Sequence, residues 1–205
     1  MSFDQPLRAA ILESRSKGPM VFLGLAYELG QTMRMRNPII QTVPSDQFGF
    51  FNIVTDEDRA VRSVELFSKD VEKERFMKAI GLTAVSKISS RTYEVSASGE
   101  LSVDGIPFPN LDGKRIGRIN FAGPRGTYRM YSFRDFLDGT VEKTGALESL
   151  RGKIVLVGEG DITDIKQVST GSMPGIEIHA NIIENLNNQS FLKYTPVLVN
   201  TGILP

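Results

Sequence analysis

Two segments in the C-terminal third carry the clearest structural signal of the chain: LRGKIVLVG at residues 150–158 and MPGIEIHAN at residues 173–181. Within the first, the run KIVLV at 153–157 does not alternate with polar residues, which is typical of a parallel strand buried on both faces. In the second, Pro174 stands where a helix begins without losing a hydrogen bond, and helical spacing continues to about Asn188. A buried strand followed by a loop and a helix favours an α/β fold.

The rest of the chain supplies shorter helices and antiparallel hairpins. We predict one hairpin from 48–54 and 61–66 around an acidic turn at 56–58, and another at 93–103 that turns at Ser98-Gly99. Helices are predicted at 7–15, 71–88 and 132–137, and further strands at 20–23 and 115–121. The sequence therefore predicts a single domain over residues 1–205, an α/β fold with a mixed central sheet, a buried parallel strand, flanking helices and β-hairpins.

Composition excludes several functional classes. The 24 basic residues balance the 24 acidic ones and are scattered, whereas a nucleic-acid partner usually requires a basic stripe. The absence of cysteine excludes a disulfide framework, thiolate zinc and cysteine catalysis, and a single histidine excludes a histidine-rich metal site. We therefore expect no nucleic-acid partner, no metal and no cofactor.

The ends of the chain bear on its location. No run approaches the roughly 20 apolar residues that span a bilayer, and the N-terminus lacks a basic-then-apolar signal pattern. The stretch 197–205 is mostly apolar and has no polar tail. We interpret the residues after 196 as leading toward a membrane helix, and the alternative is an ordinary C-terminal strand or ordered tail.

His179 has the most informative position of the candidate residues. At about 100° per residue, it projects between Leu186 and Ile183 in the apolar arc of the predicted helix, so it should face the sheet. One interpretation is a buried neutral imidazole bonded to the backbone or to a carboxylate. Another is a structural switch or a ligand contact near the strand ends. Catalysis has less support, because no serine or cysteine is placed beside it as a nucleophile.

Three further positions are candidates for ligand contacts. Gly158 and Asp161 belong to the loop after the predicted strand, where ligands of open α/β sheets gather. The spacing of this loop matches no phosphate-binding motif, so it is either the rim of a small-ligand site or a solvated loop. Arg62 lies on a predicted strand, where an inward guanidinium needs a bound anion or a carboxylate, from Asp56 or from a ligand. The acidic run 56–58 lacks the spacing of a calcium loop and fits a solvated turn.

Three segments, in this order, resemble the CHASE2 family of sensor domains. The first is GFFNI at 49–53, which continues through Asp56 and Asp58 to VRSVEL at 61–66. The second is INFAGP at 119–124, followed by YSFRDFLDG at 131–139. The third is the pairing of LRGKIVLVG with MPGIEIHAN, the most specific signal of the three. The resemblance spans about residues 4–196.

Three departures from the family pattern change the local expectation. Arg59 stands where the family often has glycine, so we expect a turn without a positive φ. Residues 168–171 read VSTG where the family often has threonine and proline, which leaves the path of this loop open. The family's N-terminal strand and helix are also missing, as in a chain that starts late or in a shortened member.

The resemblance implies an extracytoplasmic sensor, periplasmic or extracellular, and not an enzyme. It also implies membrane helices and a cytoplasmic histidine kinase or nucleotide cyclase as the output. Further partners would be an unidentified small-molecule ligand and, in a homodimer, a second copy. Two alternatives stay open: a purely structural dimerisation module, and a metal-dependent hydrolase using Asp161, Asp164 and His179. The candidate ligand-binding residues are Asn52, Arg62, Asn120, Gly158, Asp161 and His179.

Overall fold

The computed structural model describes residues 20–25, 46–70, 75–158 and 164–193, together with the single residues 9, 13 and 44. The strands in these ranges are β1 Leu23–Leu25, β2 Phe48–Phe50, β3 Ala60–Val61, β4 Ser63–Glu65, β5 Phe67–Asp70, β6 Arg75–Lys78, β7 Tyr93–Val95, β8 Leu101–Val103, β9 Ile106–Pro107, β10 Leu111–Asp112, β11 Ile116–Arg118, β12 Ile165–Val168 and β13 Gly171–Pro174. The helices are α1 Ile80–Ile88, α2 Phe133–Leu137, α3 Thr140–Lys143, α4 Ala146–Ser149 and α5 Gly175–Asn188. The predicted α/β fold is confirmed.

The described strands pair in five small sheets. β1 pairs with β2 in parallel, β5 pairs with β6 antiparallel, and β7, β8 and β9 form an antiparallel sheet. β11 lies between β10 and β4 and is antiparallel to both. β12 is antiparallel to β13 and parallel to β3, with Gln167 opposite Ala60. Parallel and antiparallel pairing are therefore mixed as predicted, but the pairs form separate ribbons and not one central sheet.

The buried strand predicted at 153–157 is wrong. Residues 154–158 are not in a strand, and the side chains of Ile154, Val155 and Val157 are 47%, 50% and 75% exposed. A parallel neighbour does lie beside β3, but it is β12. A short turn joins β12 to β13 in a hairpin. Closing so short a loop costs little conformational entropy. An apolar run favours burial but does not by itself specify a partner strand, and residues 153–157 have none in the described structure.

The hairpin predicted from 48–54 and 61–66 is wrong beyond its turn. The turn itself closes, because the Asp56 N–H donates to the Ala60 carbonyl at 2.8 Å. β2 pairs instead with β1, and β4 with β11. A Cβ at Gly49 would lie 2.6 Å from a backbone carbonyl oxygen at the end of β6. Glycine at this position therefore lets β2 pack against the start of α1, away from β4.

The helix predicted at 71–88 is wrong in its first part. α1 begins only at Ile80, whereas β6 is a strand paired with β5. Residues 71–74 lie outside the described residues. In β6 the side chains alternate between two faces, and Met77 turns to a small buried cluster with Phe50. Strand pairing and this packing therefore override the helical spacing of the segment.

Elements with strong local signals are confirmed. β7 and β8 form the expected hairpin, in which Gly99 has a φ of 73°. The Ser132 side chain accepts from the Arg134 N–H at 3.2 Å and caps α2, and Gly139 follows with a φ of 74°. α5 follows Pro174 as predicted. Caps and turns depend on a few neighbouring residues, so their signals survive in any tertiary context.

Other expectations concern the ends and the loop before α5. Apart from Ala9 and Glu13, both helical, the helix predicted at 7–15 lies outside the described residues. The segment after 196 lies outside them as well. The loop whose path was left open is a turn between β12 and β13, and Gly171 in it has a φ of 122°.

The core forms where α5 packs against α1. Ile178, Ile182 and Leu186 of α5 are 0%, 1% and 0% exposed. A Cβ at Gly81 of α1 would lie 3.3 Å from a side chain of α5, so glycine lets the two helices approach closely. The Tyr93 hydroxyl donates to the Leu186 carbonyl at 3.1 Å, which ties β7 to the same helix. Full burial of one aliphatic side chain stabilises a fold by roughly 1.5–3 kcal/mol. Because α5 buries three such side chains almost completely, it is the central element of the core.

Arg59 contradicts the expectation of a turn without a positive φ. Its φ is 64°, in the left-handed region that favours glycine. Hydrogen bonds on both sides impose this conformation. The Arg59 N–H donates to the Asp56 carbonyl at 2.9 Å, and the Ala60 N–H donates to the Asp58 carboxylate at 3.1 Å. The geometry of the turn is thus set by its neighbours even though arginine fits it poorly.

Replacing Arg59 by glycine should therefore stabilise the fold by about 1 kcal/mol, because a Cβ in the left-handed region costs roughly 1–2 kcal/mol. The gain is measured as a higher midpoint of urea unfolding at unchanged m-value. Arg91→Gly is the matched control, since Arg91 is exposed and does not have a positive φ. A variant Arg59→Gly that is no more stable than Arg91→Gly would contradict strain in this turn.

Candidate functional site

A stripe of polar side chains is buried along α5. Glu177, Asn181 and Asn185 are 3%, 1% and 2% exposed. Because they are spaced four residues apart, they lie on one face of the helix. Buried polar groups need hydrogen-bond partners, so the segment that covers this face has to supply them.

The segment 119–128 supplies these partners through its backbone. The Asn185 side chain accepts from the Asn120 N–H at 2.7 Å and donates to the Asn120 carbonyl at 2.9 Å. One helical turn earlier, the Asn181 side chain accepts from the Ala122 N–H at 2.9 Å. α5 therefore binds this segment with side-chain amides in the way that a neighbouring strand would bind it with backbone amides.

The carboxylate of Glu177 continues the stripe toward the N-terminus of α5. Its Oε1 accepts from the backbone N–H groups of Gly126 at 2.8 Å and Tyr128 at 3.5 Å. Its Oε2 is buried without a hydrogen-bond partner in the described part of the chain. The Tyr128 hydroxyl donates to the Glu184 carboxylate and lies 3.4 Å from Oδ1 of Asn181. Burial and the hydrogen bond to Glu184 raise the pKa of Tyr128, so its hydroxyl stays protonated and can donate.

A second set of contacts lies at the N-terminal half of α5. Asp164 accepts from the Gly175 N–H at 3.1 Å, and a Cβ at Gly158 would lie 2.7 Å from a side chain in the first turn of the helix. His179 Nε2 lies 3.0 Å from the Phe51 carbonyl oxygen, and it carries the proton because a carbonyl can only accept. The imidazole is half-buried, and burial lowers its pKa. It is therefore a neutral ring that ties α5 to the segment after β2.

The structure brings some of the predicted ligand-binding residues together. Gly158 and His179 both lie at the N-terminal half of α5. Asn52 directly follows Phe51, whose carbonyl binds the imidazole. Asn120 lies apart from them, against the C-terminal half of α5, where its backbone and not its side chain is bound. A role in ligand binding stays a prediction for each of these residues.

Arg62 has the carboxylate partner that we predict, and a second one. Its guanidinium lies 2.7 Å from the Asp56 carboxylate and 2.6 Å from that of Asp58, and its side chain is 36% exposed. The hydrogen bond from Arg62 lowers the pKa of Asp58 to about 2. Ion pairs open to solvent stabilise a fold little, so this cluster mainly shapes the acidic turn. Asp161, the last candidate residue, lies outside the described residues.

Of the three residues required by the hydrolase alternative, Asp164 has a structural role. Its carboxylate binds the N-terminus of α5 and lies 3.4 Å from the Lys166 ammonium. Within the described ranges, no group of three or more histidine, aspartate or glutamate side chains could hold a metal ion. Because Asp161 lies outside the described residues, the full set of Asp161, Asp164 and His179 is not described.

Two clefts among the described residues are open to solvent. The smaller, of about 200 Å³, is lined by Asp56, Ser63, Asn110, Asp112, Ile116 and Arg118. The larger, of about 480 Å³, lies between β6, β7 and β8, and Lys78 is one of the residues that line it. The described ligand-binding candidates from the sequence line neither cleft.

The fold and these contacts define an α/β domain in which α5 binds the 119–128 segment. The INFAGP and MPGIEIHAN motifs therefore contact each other. The sequence profile of the CHASE2 domain matches residues 2–203, so the chain belongs to the CHASE2 family, as predicted. CHASE2 domains are extracytoplasmic sensor domains of signalling receptors. No curated protein and no solved structure matches the chain. Among the described residues, no helix is both long and apolar enough to cross a membrane.

The buried polar stripe is the feature that sequence reasoning misses. Its signal is the spacing of Glu177, Asn181 and Asn185 beside the apolar arc of α5. A projection that counts only apolar residues centres the buried face on His179. The actual buried face extends to the stripe, so His179 lies nearer its edge and is half-buried.

Replacing Asn185 by alanine should destabilise the domain by about 2 kcal/mol, because it removes the partner of two backbone groups at once. Urea unfolding measures the loss. Asn187→Ala is the matched control, because Asn187 lies on the same helix and is exposed, and its effect should stay within about 0.5 kcal/mol. Equal stability of the two variants would show that the stripe does not hold the 119–128 segment.

The lowered pKa of His179 predicts how stability depends on pH. The unfolded chain binds a proton near the reference value of about 6.5, whereas the folded chain binds it only at lower pH. Stability should therefore fall as the pH drops below about 6.5, and should level off below the folded pKa.

His179→Gln should flatten the dependence of stability on pH between pH 7.5 and 5, because glutamine does not titrate in this range. Glutamine still offers a donor to the Phe51 carbonyl, so His179→Ala should be less stable than His179→Gln. Chemical unfolding at each pH measures the difference from the parent chain. A pH slope that is the same in parent and His179→Gln would exclude His179 as its source.

Proposed function

We propose that residues 1–205 form one ligand-sensing input domain of a membrane-bound receptor of the histidine kinase or nucleotide cyclase type. The domain would lie on the extracytoplasmic side and pass a conformational change to membrane helices that follow it. Membership of the CHASE2 family supports the sensor role. The transmission step is supported by the contacts of residues 189–192, which directly follow α5.

The residues after α5 are locked to β11 and its surroundings. Gln189 ends the helix with a φ of 53°. Phe191 is 2% exposed, and its carbonyl accepts from the Asn110 side chain at 3.0 Å. The Leu192 N–H donates to the Arg118 carbonyl at 2.9 Å. The exit from the helix is therefore a packed and hydrogen-bonded segment.

The same stretch of chain binds both α5 and its exit. β11 binds Leu192 and continues into the 119–128 segment, which binds the buried stripe. A shift of α5 along this segment would exchange or break these hydrogen bonds and displace the chain after Leu192. A small-molecule ligand can drive such a shift only if its affinity differs between the two arrangements. In a homodimer, two such exits would act together on the output domain.

The compartment is tested by labelling a cysteine introduced into residues 1–205, which contain none. Ser98→Cys places a thiol on the exposed turn between β7 and β8. In intact cells that express the full-length protein, a membrane-impermeant maleimide should label this variant. Labelling is read by gel shift, with the parent protein as the background.

Thr83→Cys is the matched control, because Thr83 is 4% exposed and its thiol should react only after denaturation. If Ser98→Cys reacts only after the cells are lysed, the domain is on the cytoplasmic side and the proposed receptor topology is wrong.

A further inference from the structure

The larger cleft combines a cation with an apolar surface. On β6, Phe76 and Lys78 point to the same face, because side chains alternate along a strand. The Phe76 ring packs edge-on against Phe67 at a centroid distance of 5.4 Å, so it is held in place. Val95 adds a second apolar side chain, and it packs against the core. The cleft thus offers a fixed apolar wall beside an ammonium group.

The ammonium of Lys78 is bound by neutral groups. In the described part of the chain, its acceptors are the Ser86 hydroxyl and the Tyr93 carbonyl, each at 3.3 Å. Ser86 in turn donates to the Leu82 carbonyl at 2.6 Å, which fixes its hydroxyl. Burial lowers the pKa of Lys78. A half-buried cation whose direct hydrogen-bond partners in the described ranges are neutral oxygens favours an anion as a further partner.

Glu94 limits which anion fits. It lines the same cleft, and its charge acts on Lys78 from beyond direct contact. The charge of Lys87 also acts on Lys78, but the Lys87 ammonium is paired with the Asp46 carboxylate. A second negative charge on a ligand would face this carboxylate, so a dianion such as phosphate is disfavoured. A cationic group on the ligand would instead be attracted to Glu94. The hydroxyls of Ser96 and Ser102 complete the polar side of the cleft.

We propose that this cleft binds a small organic carboxylate with an apolar body, whose carboxylate pairs with Lys78 and whose apolar part packs on Phe76 and Val95. Apolar α-amino acids belong to this class, with their ammonium group directed to Glu94. This site would supply the ligand class for the proposed sensing function. Its role in signalling rests on that function.

The position of the cleft connects such a ligand to the core. Lys78 ends β6 directly before α1, and Ser86 lies on α1. Tyr93, whose carbonyl binds Lys78, also holds the Leu186 carbonyl of α5 through its hydroxyl. A carboxylate that draws the ammonium away from Ser86 and Tyr93 changes contacts at both helices of the core.

Binding is tested on the purified chain with 3-phenylpropionate, phenylalanine and phenethylamine as probes. Amide chemical shifts locate the binding, and their titration gives affinities. Both carboxylates should shift the amides of β6, β7 and β8, and phenethylamine should bind more weakly than 3-phenylpropionate. Lys78→Gln should weaken 3-phenylpropionate binding about tenfold, the effect of losing one hydrogen bond to a charged group. Lys143→Gln, an exposed lysine on α3, is the matched control and should bind as the parent does.

A second variant keeps the test valid if Lys78→Gln does not fold. Glu94 is exposed, and Glu94→Gln should strengthen binding of 3-phenylpropionate and weaken that of phenylalanine relative to it. The site is refuted if neither carboxylate shifts the cleft amides, if Lys78→Gln binds as well as Lys143→Gln, or if Glu94→Gln does not change the ratio of the two affinities. Failure of this binding test would not change the result of the cell labelling or the proposed topology. Failure of the labelling would likewise not change a carboxylate site measured on the purified chain.

Discussion

Three polar side chains are buried on one face of α5, and their hydrogen-bonding groups need partners. The surrounding described structure supplies these partners except at Oε2 of Glu177. Each unsatisfied buried group would cost about 1–3 kcal/mol, so Glu177, Asn181 and Asn185 require donors and acceptors that are free of other pairing. A regular strand or helix uses its own backbone groups in pairing. The segment 119–128 is irregular, and its N–H groups at Asn120 and Ala122 are available to α5. Its path after β11 follows from this condition.

This condition also explains why two motifs of the CHASE2 family act as one unit. The motif at 173–181 supplies Glu177 and Asn181, and the motif at 119–124 supplies backbone groups. Within the second motif, Asn120 contributes its backbone to the contact. Gly123 allows close packing of the loop, because a Cβ there would lie 2.5 Å from a threonine hydroxyl. The two segments that carry the resemblance to the family thus contact each other although they are distant in sequence.

α5 connects most parts of the described domain, so a change at one surface can reach the others. It packs on α1, holds the 119–128 segment, and ends in the locked exit at Leu192. The ring of His179 ties it to the segment after β2, and the hydroxyl of Tyr93 ties it to β7. Packed helices with discrete hydrogen-bond partners change between distinct arrangements and do not deform continuously. This is the physical basis of the proposed transmission from α5 to the chain that follows it.

Residue patterns along the chain are enough to predict the α/β class, the family and the elements with local signals, such as the cap at Ser132 and the extent of α5. These depend on the backbone geometry of a few neighbouring residues. Strand pairing depends on tertiary contacts: residues 153–157 form no strand, and the parallel neighbour of β3 is β12. The tertiary structure also gave Arg59 a left-handed conformation and turned the buried face of α5 toward Asn185. Partner choice depends on hydrogen bonds and packing between segments that are distant along the chain, and a pattern of apolar residues carries no record of them.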